Sequence, residues 1–460
     1  MPMLVLTSSE RAQQTHCFLK KENISSRVVL DSVGSLLRSP RWPSQKNPEV
    51  EVLNFDSDVF TLEQIDKWTA QFVKNYSDRV SVETIGASRE GRPLTVLKVL
   101  STAVGNSSSE NGRRHSIFVE CGIHAREWDS PPACMKFASM LVRDNEGVNR
   151  AYGRFNWEFI LVLNPDGYVH SWLKDRFWRK NRHPAKACCS REKKQTSTSD
   201  DGSQEEDCSC CCTGVDLNRN FDAGFEATLS NNLTSCDQVY PGERAFSEPE
   251  SLNLSTYIAR HQHKYAAYVA VHGYFSAILY PFAYDEDVIG AETAGKWDAL
   301  SKRMTEAMTA VDGYPYRYDA ASKLFPSKQQ GGTSTDWVFL RTSIPFALTL
   351  EMRYSVYHFY GRFHYGSYDP SKDESRKAHN VFPSSLGFLG FCLPEKERLL
   401  ARQETLMGLR EMATCLLEME EGAWPRQQQQ TTQSSRGVET CMIAGHFVEK
   451  ASVSAPEQGG

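Results

Sequence analysis

From Thr61 onward, apolar residues recur at helical spacing: Leu62, Ile65, Trp68, Phe72 and Val73 share one face of a 3.6-residue repeat. Glu63 and Asp66 lie in the first half of that run, where a helix start favours negative charge. The period then changes. Leu94, Val96 and Lys98 alternate with their neighbours, which predicts a strand over Pro93–Leu100. Ser116–Glu120 and Phe155–Leu163 read as further strands, and a helix built on Met135, Phe137, Ala138 and Leu141 is expected between them, over Ala133–Val142. Tyr265–Val271 and Pro345–Leu350 are short apolar runs of the kind that fill a buried sheet, and helices are expected over Glu248–His261, Glu292–Val311 and Glu395–Glu418. Strands that alternate with helices predict an α/β architecture around a largely buried sheet.

Several stretches do not follow this pattern. Residues 184–208 are rich in Lys, Ser, Thr, Asp and Glu with almost no large apolar residues, and residues 354–388 are aromatic, glycine-containing and polar without a clean period. Both read as inserts, because loops this long inside a compact domain are functional or disordered. Residues 1–54 show no sustained periodicity, and Arg38-Ser39-Pro40-Arg41-Trp42-Pro43 within them reads as an exposed linker. From about residue 421 the chain is low in complexity, including Gln427–Gln430, and is expected to be disordered. One α/β domain is therefore expected over residues 55–420, flanked by a leading segment 1–54 and a tail 421–460.

Composition narrows the class only a little. A net charge of −5 over 460 residues gives no basic footprint for nucleic acid. No apolar run is long enough to span a bilayer. Cysteine is more informative. Seven of the 13 cysteines lie between Cys188 and Cys236, and the odd total leaves at least one thiol unpaired within a single chain. Asn-x-Ser/Thr triplets occur at Asn23, Asn75, Asn106, Asn232 and Asn253, which would be glycan acceptors in a secreted protein. The opening Met1–Thr7 is too short for the apolar core of a secretion signal and lacks a basic leader, so either the protein is not secreted or the sequence has lost its true beginning.

The sharpest chemical signal is Gly122-Ile123-His124-Ala125-Arg126-Glu127-Trp128, just after a strand. A histidine and a carboxylate three residues apart at the mouth of a helix can face one ion, although alone such a pair is more often a surface polar couple. Catalytic zinc takes three protein ligands and keeps a fourth position open. His272 ends the apolar run Tyr265–Val271, where open α/β sheets present ligands, and supplies a third candidate. Glu351 follows Phe346–Leu350. It is either a buried ion-pair partner, with Arg353 as the nearby candidate, or the carboxylate that metal-assisted hydrolysis needs to take a proton from water and deliver it to the leaving amine. Arg179, in Trp178-Arg179-Lys180, and Asn218-Arg219, in Gly214-Val215-Asp216-Leu217-Asn218-Arg219-Asn220-Phe221, add guanidinium groups suited to carboxylates and to a developing oxyanion.

Together these segments resemble the pancreatic-type carboxypeptidase A/B zinc peptidases. The resemblance also runs through Asn164-Pro165-Asp166-Gly167-Tyr168, His272-Gly273-Tyr274, Asp336-Trp337 and Leu350-Glu351-Met352-Arg353, in the family's order, over about residues 57–420. It implies a mixed, about eight-stranded twisted sheet between helices. It implies one Zn2+ held by His124, Glu127 and His272, with Asp216 orienting His124. Arg179 would polarise the scissile carbonyl and Glu351 would act as general base and then acid. Asn218 and Arg219 would hold the substrate's free carboxylate, with Arg126 and Tyr274 lining the neighbouring subsite. Cys212 and Cys236 match the family's characteristic disulfide, which points to an oxidising compartment.

The residue before the Asp-Trp pair lies in the family's specificity pocket, and an aspartate there goes with basic substrates. Here it is Thr335, so an apolar or aromatic C-terminal residue is expected. The family's mobile tyrosine has its nearest match in Phe325, which has no hydroxyl and would forgo a hydrogen bond worth roughly 1.5–3 kcal/mol. Phe18–Val33 resembles the end of an inhibitory activation segment, so cleavage by an activating endopeptidase near Arg38 or Arg41 is expected. The expectation is thus a secreted, monomeric zinc exopeptidase acting on peptide and protein C-termini, without nucleic-acid or membrane partners. Two alternatives remain: a catalytically impaired relative that only binds C-termini, and a zinc amidohydrolase of acylated amino acids.

Overall fold

The computed structural model describes residues 53–101, 116–143, 150–185, 212–285, 291–324, 330–353 and 391–422. The expected activation-segment remnant with Arg38 and Arg41, nearly all of the 184–208 insert, Phe325, the 354–388 insert and nearly all of the tail lie outside the described residues.

The first helix among the described residues, α1 (Leu62–Asn75), starts where its chemistry says it should. The Thr61 hydroxyl accepts from the Gln64 backbone N–H at 3.3 Å, and Gln64 Oε1 accepts from the Thr61 N–H at 2.9 Å, a reciprocal cap that satisfies two otherwise orphaned donors. Its buried face carries Ile65 and Phe72, with Trp68 stacked on Phe72 at 4.7 Å.

Eight strands follow among the described residues: β1 (Val80–Ala87), β2 (Pro93–Val99), β3 (Ser116–Cys121), β4 (Asn156–Ile160), β5 (Tyr265–Gly273), β6 (Ala277–Tyr280), β7 (Arg317–Ala320) and β8 (Phe346–Met352). They form one mixed sheet in the order β1-β2-β4-β3-β5-β8-β6-β7. The four central strands β4, β3, β5 and β8 are parallel; β1–β2, β2–β4 and β6–β8 pair antiparallel, and β7 runs parallel to β6 at the far edge. This is the eight-stranded sheet between helices that the resemblance implies. β3, β5 and β8 are buried almost throughout, which is why they read as unbroken apolar runs. β1 lies at an edge with most residues exposed, and β6 and β7 are four residues each, so none of the three has a pattern the sequence could reveal.

Helices cover both faces: α2 (Ser130–Arg143), α3 (Pro165–Leu173), α4 (Phe225–Leu229), α5 (Pro249–His261), α6 (Ala291–Thr309), α7 (Ala321–Leu324), α8 (Ser334–Arg341) and α9 (Glu395–Glu420). α2 begins three residues before its apolar pattern does, because Pro131 and Pro132 fit a first turn whose N–H groups have no helical acceptor. No described helix is long and apolar enough to cross a membrane.

The parallel core matters for function because it brings four strand ends to one edge of the sheet. β3 turns there through Gly122, at φ +64°, a left-handed conformation that side chains disfavour. A Cβ at Gly122 would lie 2.9 Å from Val162 Cα and 3.1 Å from the Leu161 carbonyl, both backbone atoms with no room to retreat. Gly122→Ala is therefore expected to lower unfolding free energy by about 2 kcal/mol or more. Urea denaturation should show a lower midpoint with an unchanged slope; an unchanged midpoint would contradict this account of the turn.

Candidate active site

The His124–Glu127 segment lies between the end of β3 and the start of α2, and its backbone is fastened from outside. Asn164 Nδ2 donates to the Ile123 carbonyl (3.1 Å), the Ala125 N–H donates to the Arg179 carbonyl (3.1 Å), and Ser171 Oγ donates to the Ala125 carbonyl (3.0 Å). These bonds turn both side chains toward β5. His272 is the next-to-last residue of β5 and pairs in parallel register with Glu351 on β8. Side chains in register on neighbouring strands share a face, so the two are held side by side. Both residues follow their apolar runs in the sequence, and the ladder continues through them, which makes their spacing rigid.

His124 Nδ1 approaches Glu127 Oε1 at 2.7 Å, and His272 Nδ1 lies 3.2 Å from Glu127 Oε2 and 3.1 Å from His124 Nδ1. Candidate ligand atoms of all three lie within 4.8 Å of one another. Two nitrogens at about 2.0–2.1 Å from a tetrahedral zinc would be about 3.3 Å apart, close to the spacing found. The three side chains are 3%, 6% and 1% exposed for His124, Glu127 and His272, so water does little to neutralise them. Burial alone would raise the Glu127 carboxyl, but positive charge on the two imidazoles outweighs it and holds the group below the usual carboxylate range. For His272, burial opposes the charge, yet Glu127 outweighs that and pushes the ring up to about 9. The pocket favours positive charge beside Glu127, as a site for a divalent cation must.

Asp216 lies behind His124, its Oδ1 at 3.3 Å from the ring's Nε2, short of a well-aligned hydrogen bond. Its Oδ2 accepts from Arg179 Nε at 3.0 Å and pairs with Arg179 Nη2 at 2.9 Å. Burial would raise this carboxyl; Arg179 and His124 outweigh it and hold Asp216 well below its ordinary value. The same Oδ1 caps the short turn Leu217–Arg219 by accepting from the Asn218 N–H at 3.0 Å. One carboxylate thus ties together His124, Arg179 and the Asn218-Arg219 pair.

Glu351 is half-buried at the cleft. Burial pushes its carboxyl up to about 7, against the pull of His272 and with a further push from Glu127. Such a group can take and return a proton near neutrality, although a bound cation would draw the value down. Its suggested ion pair with Arg353 does not form. Arg353 instead binds Glu397 (2.6 Å), Asp312 (2.6 Å) and Glu404.

The remaining candidates surround these groups. Arg219 is buried, donates to the Asn218 carbonyl and to Gln330 Oε1 at 2.7 Å each, and is lowered by that burial. Asn218 Oδ1 accepts from the Ser334 N–H at 3.0 Å, which joins the turn to α8. Thr335, in the first turn of α8, lies with its hydroxyl 3.4 Å from that of Thr349 on β8. Cys212 and Cys236 form a disulfide.

Two features escaped sequence reasoning. Phe391, just beyond the 354–388 insert, lies between Arg126, whose guanidinium is 4.3 Å above its ring, and Tyr274, 4.5 Å away edge-on. The insert hid it by breaking the spacing to Glu351. A second disulfide, Cys121–Cys134, spans the metal-facing segment. The cysteines lie in the sequence on either side of His124 and Glu127, a signal that could have been read.

Residues 65–368 match the family described as peptidase M14, zinc carboxypeptidase. Human carboxypeptidase B is 29% identical over 362 residues, covering 77% of this chain and 70% of that protein. Human carboxypeptidase A6 is 28% identical over 345 residues, covering 74% and 70% respectively. The crystal structure of thrombin activatable fibrinolysis inhibitor superposes with a TM-score of 0.64 at 24% identity, covering 89% of each chain, which is a likeness of fold.

Asp216→Ala would leave the outer nitrogen of His124 without its carboxylate. Metal affinity, measured by chelator competition, is expected to fall about 10- to 100-fold. Unaltered affinity would mean that Asp216 serves Arg179 alone.

Proposed function

This chain belongs to the zinc carboxypeptidase family, and on that premise we propose that it is an exopeptidase releasing one uncharged, apolar or aromatic residue at a time from peptide C-termini. The observation that carries the mechanism is the register of His272 with Glu351, beside His124 and Glu127.

In this reading His124, Glu127 and His272 hold the zinc. When bound, the ion supplies Lewis acidity, polarising the scissile carbonyl and making a nearby water more acidic. Glu351 takes the proton from that water and returns it to the departing amine, work suited to a carboxyl raised by burial. Arg179, oriented by Asp216, faces the carbonyl oxygen and offsets the negative charge that grows on it. Arg219 and Asn218 bind the free carboxylate, which restricts attack to the last peptide bond. Arg126, Tyr274 and Phe391 form the rim over which the preceding residue lies.

Thr335 supports the choice of side chain. Its neighbour Thr349 pairs in register with Leu279 on β6, and Leu279 belongs to a small apolar cluster with Ala277, Ala283 and Ala321. Nothing acidic stands at position 335 to meet a lysine or arginine. The adjacent Asp336 is engaged through Oδ2, which accepts from the Ala283 N–H at 3.0 Å, while its buried Oδ1 has no described hydrogen-bond partner. Phe325, the nearest sequence match to the family's mobile tyrosine, has no hydroxyl to donate to a substrate carboxylate. The two described disulfides suit a secreted protein, and residues 1–54 suit an activation segment removed by an endopeptidase. The catalytic unit then spans residues 55–420 and acts as a monomer.

Blocked dipeptides ending in Phe, Leu, Lys or Glu test this reading directly. Phe and Leu are expected to exceed Lys and Glu in kcat/KM by about tenfold or more, and a chelator should abolish turnover. Preference for Lys would overturn the pocket, and chelator-insensitive cleavage the mechanism. Thr335→Asp should move the preference toward Lys and Arg. Glu351→Gln should bind zinc in full yet lose about 100- to 10,000-fold in kcat; an active variant would remove Glu351 from its role.

A further inference from the structure

We propose that the Cys121–Cys134 disulfide is a metal-retention clamp: by tying the end of β3 to α2 it keeps His124 and Glu127 on the ion and governs how slowly zinc escapes. This rests on the reading of His124, Glu127 and His272 as the ligands.

The bond joins the last residue of β3 to the fifth residue of α2, thirteen positions later, and both sulfurs are fully buried. Two of the three ligands lie inside the covalent loop so formed; the third, His272, is locked into the β5–β8 ladder. Residues 122–129 belong to no strand or helix of their own. Their described backbone tethers are separate bonds rather than a ladder, made with Asn164, Ser171, Arg176, Arg179 and Ser130, and Arg402 holds the Asp129 carboxylate. A segment held this way opens locally more readily than the sheet beside it. Such an opening would withdraw His124 and Glu127 together and leave zinc on His272 alone.

The disulfide restrains that motion from both ends. It cannot prevent the tethers from breaking, but it keeps the open loop short and its ligands close to His272, so reclosure on the ion is favoured over release. Linkage makes the effect reciprocal. Whatever the clamp contributes to zinc retention, bound zinc must contribute to keeping the clamp closed and hidden from reductant. The other disulfide, Cys212–Cys236, encloses Asp216 but none of the three ligands, so it has no such direct hold.

Zinc-loaded wild type, the double variant Cys121→Ala/Cys134→Ala and the control Phe72→Leu, a core substitution in α1, would be mixed with a chromophoric chelator. Unfolding midpoints would be measured in parallel. The double variant is expected to release zinc at least tenfold faster than both of the others. Release at the wild-type rate, or no faster than in a Phe72→Leu protein of similar midpoint, would overturn the proposal. A second measurement needs no variant. Wild type in a dithiol reductant, with or without zinc, is sampled by thiol trapping and mass spectrometry for Cys121 and Cys134. Their reduction should be at least tenfold slower with zinc bound, and equal rates would overturn the clamp. If wild type takes up no zinc, the ligand assignment fails and the clamp with it. If zinc binds firmly but neither measurement depends on the disulfide, the clamp alone fails.

Discussion

Two imidazole nitrogens 3.1 Å apart, facing the two oxygens of one buried glutamate, are the arrangement on which the rest of this molecule depends. Placed in a nearly dry pocket, such a cluster is unfavourable unless positive charge balances the carboxylate and the surroundings hold the rings in place. The architecture meets that demand from three directions. The parallel core brings strand ends to one edge, Gly122 lets the chain turn sharply into the His124 loop, and Asp216 supports the far side of His124.

Register is the strictest of these conditions. His272 and Glu351 are neighbours because β5 and β8 are paired in phase, and a slip of one residue would turn one of the two to the opposite face of the sheet. The burial of both strands opposes any such slip, since it would also bring a whole set of apolar side chains out of place. Apolar packing far from the chemistry thus sets the distance between a proposed ligand and the proposed proton carrier.

Charge in the cleft follows one economy of parts. Asp216 touches a histidine, an arginine and the turn that bears Asn218 and Arg219, so a single carboxylate orients several functions. Arg353, by contrast, is turned away from Glu351 and engaged by Glu397, Glu404 and Asp312. That separation keeps Arg353 from adding to the pull of His272, Arg179 and Arg219, and burial, helped by Glu127, still raises the Glu351 carboxyl.

The α/β alternation, the buried strands and the side chains of the cluster were legible in the chain before any fold was known. Long apolar runs and a His-x-x-Glu pair carry their physical meaning locally. Local pattern did not reveal the edge strand β1, the four-residue strands β6 and β7, or the helix α8, whose existence depends on neighbours supplied by distant parts of the chain. Phe391 between Arg126 and Tyr274, and Asp216 shared between His124 and Arg179, were likewise decided only in three dimensions. The physical reason is one of range: helical and strand periodicity is written over a few residues. Contacts between groups 37 to 265 positions apart, from Arg179–Asp216 to Arg126–Phe391, exist only once the sheet has set its register.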